Sequence, residues 1–94
     1  LDKGFALGEL GKSQKEIYTY DVLIKEFKDS KSELILEQVA KAYRNKGIAL
    51  GELRESQKEI DTYDTFIKEF KDSKLDPILW QVAKAYFNKG IRQR

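Results

Sequence analysis

Residues 41–53 read KAYRNKGIALGEL, and the fold prediction starts from their pattern. The apolar and small residues among them recur at steps of three and four, and the same stripe extends back through Val39 to Ile35. This spacing is typical of an amphipathic helix that buries one face. A second stripe of the same kind follows at Ile60, Tyr63, Ile67 and Phe70. The sequence therefore predicts two consecutive helices, at 33–53 and 56–71.

Both helices belong to a unit that repeats along the chain. The dipeptide Lys3-Gly4 recurs at 46–47 and again at 89–90, and residues 3–45 and 46–88 are identical at 32 of 43 positions. A period of about 20 to 50 residues is typical of a solenoid, in which each unit buries its apolar face on its neighbour. We expect one all-α domain over 1–94, with units 3–45 and 46–88 and a partial third unit at 89–94.

Each unit is predicted to contain two antiparallel helices, a long helix A and a shorter helix B. The predicted order is a partial A at 2–11, B at 13–28, A at 33–53, B at 56–71 and A at 77–93, about five helices with the first truncated. Ser13 with Glu16, and Ser56 with Glu59, have the spacing of a capping box at the start of helix B. Asp76-Pro77 is typical of a helix start.

The glycines inside helix A indicate close packing. Each costs about 1 kcal/mol relative to alanine in a helix interior. Gly47 and Gly51 are four residues apart, as are Gly4 and Gly8, so each pair lies on one face. We therefore expect close approach by the partner helix there. The tyrosines at 20, 43, 63 and 86 are predicted to fill core positions.

The composition argues against catalysis, metal binding and membrane insertion. The chain has 18 Lys and Arg and 16 Asp and Glu, which gives a formal net charge of +2, and it has no His, Cys or Met. Thiolate or imidazole metal sites and Ser-His or Cys-His catalysis are therefore absent. No apolar run is long enough to span a membrane. The acids Glu55, Glu59, Asp61 and Asp64 follow no metal-loop spacing and are predicted to form a solvated helix face. We expect neither enzyme activity nor a cofactor.

Residues 41–53, followed by Glu59-Ile60-Asp61-Thr62-Tyr63-Asp64, resemble the tetratricopeptide repeat. That family has a large aromatic before a glycine in helix A, a Leu-Gly turn, and Ala-Ile with an aromatic in helix B. The positions that match are Tyr43, Gly47, Leu50, Ile60 and Tyr63, with Leu10-Gly11 as the turn in the first unit. The resemblance implies a right-handed α-solenoid of antiparallel helix pairs, about two and a quarter repeats long.

Three departures qualify this resemblance. The period is 43 residues, where the family has about 34. Glu16 and Glu59 occupy a position where helix B of the family carries a small residue. Leu23 and Phe66 occupy a later position where helix B of the family also carries a small residue. We therefore expect a looser or shifted crossing of the two helices.

The resemblance also implies a binding mode, because such repeats present their A helices to a peptide or to another protein. In one subset of the family, Lys and Asn on successive A helices clamp a terminal carboxylate. Lys41 with Asn45, and Lys84 with Asn88, are candidates for this clamp. An ammonium supplies charge and a carboxamide supplies a directional donor. The simpler interpretation is that the lysines are solvated and the asparagines recur only because the unit recurs.

Two aromatic residues distinguish the last helix from its equivalent. Trp80 stands where the preceding unit has Glu37, and Phe87 where it has Arg44. Either they cover the end of the stack, or they are exposed anchors for a partner. A homodimer contact would also explain them.

Three functional hypotheses follow. The first is a non-catalytic scaffold that binds a peptide or protein through the helix-A face. The second is a structural spacer or self-assembling segment that forms homo-oligomers through open ends. The third, a helical repeat that binds single-stranded RNA, is disfavoured by the near-neutral charge, and we expect no nucleic acid and no membrane as partners. The chain is expected to be either a fragment of a longer array or a chain whose missing first half-helix is supplied by a partner copy. A cytoplasmic location is the default expectation.

Overall fold

The computed structural model describes the backbone of residues 3–93 and the side chains of residues 11–93. It contains four helices, α1 (Lys3–Phe27), α2 (Glu33–Glu52), α3 (Ser56–Phe70) and α4 (Asp76–Arg92), and no strand within the described range. The all-α prediction is confirmed. The predicted bounds of α2, α3 and α4 agree with the structure to within one residue at each end.

The first helix differs from the prediction. A partial helix A at 2–11 and a helix B at 13–28 were expected, but α1 continues from Lys3 through Gly11 to Phe27 without a break. In the second unit a turn does separate the two helices, between α2 and α3, and Arg54 at the position equivalent to Gly11 has a φ of 60° there. Glycine permits this left-handed conformation but does not impose it, so uninterrupted helical hydrogen bonding prevails in α1.

The predicted helix caps are wrong. Ser56 is the first residue of α3 and makes no cap, and Ser13 lies within α1, where its hydroxyl donates to Glu52 Oε2 at 3.4 Å. Among α2, α3 and α4 the side-chain cap is Ser32, whose Oγ accepts from the backbone N–H of Ile35 at 3.4 Å. Pro77 lies in the first turn of α4, where its missing N–H costs nothing.

The core lies between α2 and α3. Three aromatic side chains stack there: the ring centres of Tyr43 and Phe66 are 5.4 Å apart, as are those of Phe66 and Phe70. All three rings are buried, and residues from α1 and α4 surround them. Aromatic pairs at this separation add to the free energy gained from burial alone.

The two glycines of α2 allow α3 to approach closely, as predicted. A Cβ at position 47 would overlap the ring of Tyr63, which is fully buried. A Cβ at position 51 would lie 2.9 Å from Glu59 Oε1. Gly90, the α4 equivalent of Gly47, has nothing within 4 Å of such an atom. The need for glycine at this position of the repeat therefore depends on a neighbouring helix B.

Contacts between the units also recur with the period of the sequence. Lys46 Nζ lies 2.6 Å from Asp21 Oδ1 between α2 and α1. Lys89 Nζ lies 2.5 Å from Asp64 Oδ1 between α4 and α3, the same pair 43 residues later. Within the described backbone α2 contacts all three other helices, whereas α1 contacts α2 alone and is separated from α3.

We expect Gly47→Ala to destabilise the protein and Gly90→Ala not to destabilise it. The first forces a methyl group into the Tyr63 ring and should lower the free energy of unfolding by about 1–3 kcal/mol. The second adds a better helix former in open space and should leave stability unchanged or raise it by up to about 1 kcal/mol. Urea unfolding followed by circular dichroism measures both. Equal effects would contradict the close packing at Gly47.

Gly11→Ala should stabilise the protein by about 0.5–1 kcal/mol, because position 11 is helical and nothing lies within 4 Å of an added Cβ. Thermal unfolding of the single variant measures this change. A loss of stability would instead indicate a turn at this position, with the left-handed backbone that Arg54 adopts.

Candidate binding surfaces

The two lysines of the predicted clamp lie on successive A helices, and each has a neighbour one turn back. Lys41 Nζ is 4.0 Å from Glu37 on α2, with both side chains partly exposed. Lys84 Nζ lies 4.8 Å from the ring centre of Trp80 on α4. Trp80 is the equivalent of Glu37, so the same position of the repeat offers the lysine a carboxylate on one helix and an indole ring on the other.

The two asparagines of the predicted clamp are half-buried. Asn88 lines a cavity of about 420 Å³ where α2, α3 and α4 meet, together with Arg44 from α2 and Tyr63 from α3. The Nε of Arg44 is buried in this region without a hydrogen-bond partner. Asn88 therefore lies toward α3, whereas Lys84 lies over Trp80.

The aromatic candidates are exposed. Trp80 and Phe87 have 58% and 61% of their surface accessible, and Ile91 is 47% accessible. With Lys84 they fall at i, i+4, i+7 and i+11 on α4, which places all four on one side of the helix. We call these four residues the α4 stripe. It combines apolar surface with one cation and contains no acid.

Tyr86 differs from the core role predicted for it. It is 55% exposed, whereas its equivalent Tyr43 is 6% exposed. Tyr43 is covered by α3, and its hydroxyl donates to Glu69 Oε2 at 2.8 Å. No helix in the described chain occupies the corresponding place beside α4. The same residue at the same repeat position is therefore core in one unit and surface in the next.

Glu59 is also not part of a solvated face. It is 3% exposed, its Oε1 lies 2.6 Å from Arg92 Nε, and its Oε2 accepts a hydrogen bond from Tyr63 at 3.1 Å. The space for it exists because Gly51 has no side chain. The other acids agree better with the prediction, since Asp61 and Asp64 are exposed and Glu55 is half-exposed. The sequence feature that could have predicted the burial of Glu59 is its position, where the family has a small residue, together with the glycine at position 51.

Burial raises the pKa of the core tyrosines, because it disfavours the phenolate. The pKa of Tyr63 rises to about 12, through burial first and then the charge of Glu59, while a hydrogen bond from Asn88 acts in the opposite direction. The pKa of Tyr43 lies still further above its usual value, through burial and its hydrogen bond to Glu69. The pKa of Tyr20 is raised by burial and by Glu16.

A groove of about 680 Å³ runs between α1 and α3 with α2 as its floor. Its apolar lining includes Leu50 on the floor and Ile24 on the α1 wall, and its rim carries both signs of charge in Lys58 and Asp61. Sequence reasoning missed this groove, because the separation of the two B helices has no signature in the repeat pattern.

A scan against protein-family models finds no match, and searches of curated protein sequences and of solved structures find none either. Among the described helices none is long and apolar enough to cross a membrane. Residues 11–93 contain no cluster of three or more acidic side chains arranged to hold a metal ion.

Stability should fall at alkaline pH, from about pH 10 to about pH 12. An unfolded tyrosine ionises near pH 10, whereas Tyr63 in the folded chain keeps its proton until about pH 12. Above pH 10 the unfolded state therefore loses a proton that the folded state retains, and the unfolded state is favoured. Urea unfolding at pH 8 and at pH 11 measures the loss. Tyr63→Phe should reduce it, whereas Tyr18→Phe, at a 71% exposed position, should not.

Proposed function

We propose that the chain is a non-catalytic interaction module, a tetratricopeptide-like α-solenoid whose helix-A face binds a peptide or protein segment. The observation that carries this proposal is the α4 stripe, an exposed surface of apolar residues with a lysine among them. A monomeric protein has little reason to keep large aromatic side chains exposed together unless a partner covers them.

The recurring contacts support the solenoid part of the proposal. The same Lys–Asp pair joins each helix B to the next helix A, at Asp21–Lys46 and at Asp64–Lys89. The A helices α2 and α4 also contact each other directly. A right-handed stack of helix pairs with an A-helix layer on one side is the arrangement that the resemblance implies.

The α4 stripe favours a ligand with an apolar side chain beside a carboxylate. Exposed Trp and Phe rings concentrate binding free energy when they are covered. The ammonium of Lys84 is held over the Trp80 ring by a cation–π contact, so its charge stays at the stripe. The stripe contains no acidic residue that would repel a carboxylate.

Lys41 is available to the same ligand. Its pair with Glu37 is long, at 4.0 Å, and both partners are partly exposed. Such surface pairs contribute about 0–1 kcal/mol, so a carboxylate of the ligand can replace Glu37 at little cost. The two lysines alone make up the proposed carboxylate clamp, because Asn88 lies toward α3 and away from Lys84.

A pool of peptides with free or amidated C-termini tests this function. We expect the wild-type chain to retain peptides with a free carboxylate and an apolar side chain near it. The double variant Lys41→Glu, Lys84→Glu should lose this retention by at least tenfold, because both cations are replaced by repelling charges.

The matched control is Lys25→Glu, Lys68→Glu. These two exposed lysines also occupy one position of the repeat, but on the B helices, and the variant has the same change in net charge. It should bind like wild type. Equal loss in both variants would show nonspecific electrostatic attraction, and equal retention of free and amidated peptides would reject the carboxylate clamp.

A further inference from the structure

One edge of α4 is exposed although the same edge of α2 is buried. Ala40, Tyr43 and Gly47 of α2 are all buried, and Tyr43 and Gly47 contact side chains of α3. Their equivalents on α4 are Ala83, Tyr86 and Gly90, and all three are exposed. We call these three residues the α4 edge. The residue types are identical, so the α4 edge has the shape of a surface that packs against a helix B.

The complementary edge is open on α1. Tyr63, Phe66 and Phe70 of α3, which pack on α2, are at most 9% exposed. Their equivalents on α1 are Tyr20, Leu23 and Phe27, which we call the α1 edge. Phe27 is 47% exposed, and the other two are only partly buried. The α1 edge therefore has the shape of a surface that packs against a helix A.

We propose that the α4 edge of one copy of this chain packs on the α1 edge of the next copy, as α2 packs on α3 within each copy. The occupant of each open edge is thus a second copy in head-to-tail contact. The internal α2–α3 interface provides the template, because both open edges are its sequence equivalents. Three of its specific contacts can be transferred, whereas the Tyr43–Phe66 ring stack cannot, because Leu23 stands at the α1 equivalent of Phe66.

For three contacts of the α2–α3 interface, the equivalent residues are present on the α4 edge and on α1. Gly90 admits the ring of Tyr20, as Gly47 admits that of Tyr63. The Tyr86 hydroxyl donates to Glu26, as Tyr43 donates to Glu69 at 2.8 Å. Phe27 meets the ring of Tyr86, as Phe70 meets that of Tyr43 with ring centres 6.1 Å apart.

The straight course of α1 leaves room for the second copy. If the chain turned at Gly11 as it does at Arg54, residues 3–10 would fold back along α1 and block part of its edge. In the structure the helix continues past Gly11, and α2 is the only described helix that contacts α1. Residues 3–10 therefore leave the α1 edge free for α4 of the second copy, beside the parts of Tyr20 and Leu23 that already pack on the core.

The contact is heterologous, since two different surfaces meet, and it leaves one open edge at each end of every assembly. Such contacts produce chains that grow with concentration unless the rotation closes a ring. One helix packed on another is a small interface, so the association is weak.

The α4 edge and the α4 stripe are different sides of the same helix. Tyr86 of the edge and Phe87 of the stripe are consecutive residues, and consecutive residues of a helix point about 100° apart around its axis. The inference therefore does not rest on the proposed peptide site.

Sedimentation equilibrium from about 10 µM to about 1 mM tests the association. The mass of the wild-type chain should rise above the 11.0 kDa of one copy. Phe27→Glu blocks the α1 edge and Tyr86→Glu blocks the α4 edge, so each variant alone should stay monomeric. Mixed one to one, they should form a heterodimer that grows no further, because each retains one working edge.

Two further variants serve as controls. Tyr18→Asp removes an exposed aromatic residue from α1 outside its edge and introduces the residue of the second unit at that position, so association should be unchanged. Lys41→Glu, Lys84→Glu should also associate normally, which separates this inference from the peptide site. Circular dichroism verifies that each variant folds.

The sharpest variant is Gly90→Ala, which adds one methyl group at the site that must admit Tyr20. It should weaken association at least tenfold without lowering the stability of the monomer. A wild-type chain that is monomeric at every concentration would overturn the proposal. Self-association of Phe27→Glu alone would also overturn it, because that result indicates a symmetric contact between copies of α4. Unchanged association of Gly90→Ala would reject the α2–α3 template.

Discussion

The packing of the Tyr63 ring on the backbone of Gly47 sets how closely α2 and α3 approach, and the rest of the core follows from that distance. At this separation Tyr43 reaches the rings of Phe66 and Phe70. One turn along, Gly51 leaves space for the buried carboxylate of Glu59. Arg92 then reaches that carboxylate from α4, which ties the third unit to the second. A side chain at position 47 would push α2 and α3 apart and lengthen the contacts between them.

The spacing of apolar residues predicted the helices well, because helical periodicity is a local property of the sequence. Apolar residues at i, i+3 and i+4 mark a buried face wherever the chain folds, and breaks in that pattern mark the ends. The structure places the bounds of α2, α3 and α4 within one residue of those predicted. The role of Gly47 and Gly51 was also predictable, since glycine inside a helix needs a compensating contact.

Tyr86 and Glu59 were predicted wrongly because each depends on a neighbour that the local pattern does not contain. Tyr43 and Tyr86 have the same surroundings in sequence, but only Tyr43 has a helix beside it. Glu59 has the spacing of a capping residue, yet Arg92, 33 residues away, stabilises it in the interior. Among the candidate site residues, the sequence predicted which helices carry them. It did not predict that Lys84 lies on Trp80 or that Asn88 lines a cavity with Tyr63.

The central position of α2 has a consequence for how the molecule opens. Because α1 contacts α2 alone, its release exposes a single interface and leaves the aromatic rings between α2 and α3 in place. Amide hydrogens of α1 are therefore expected to exchange through partial opening, whereas those of α2 and α3 exchange through global unfolding. The hairpin of α2 and α3 is also short in sequence separation, which favours its early formation as the nucleus on which the outer helices assemble.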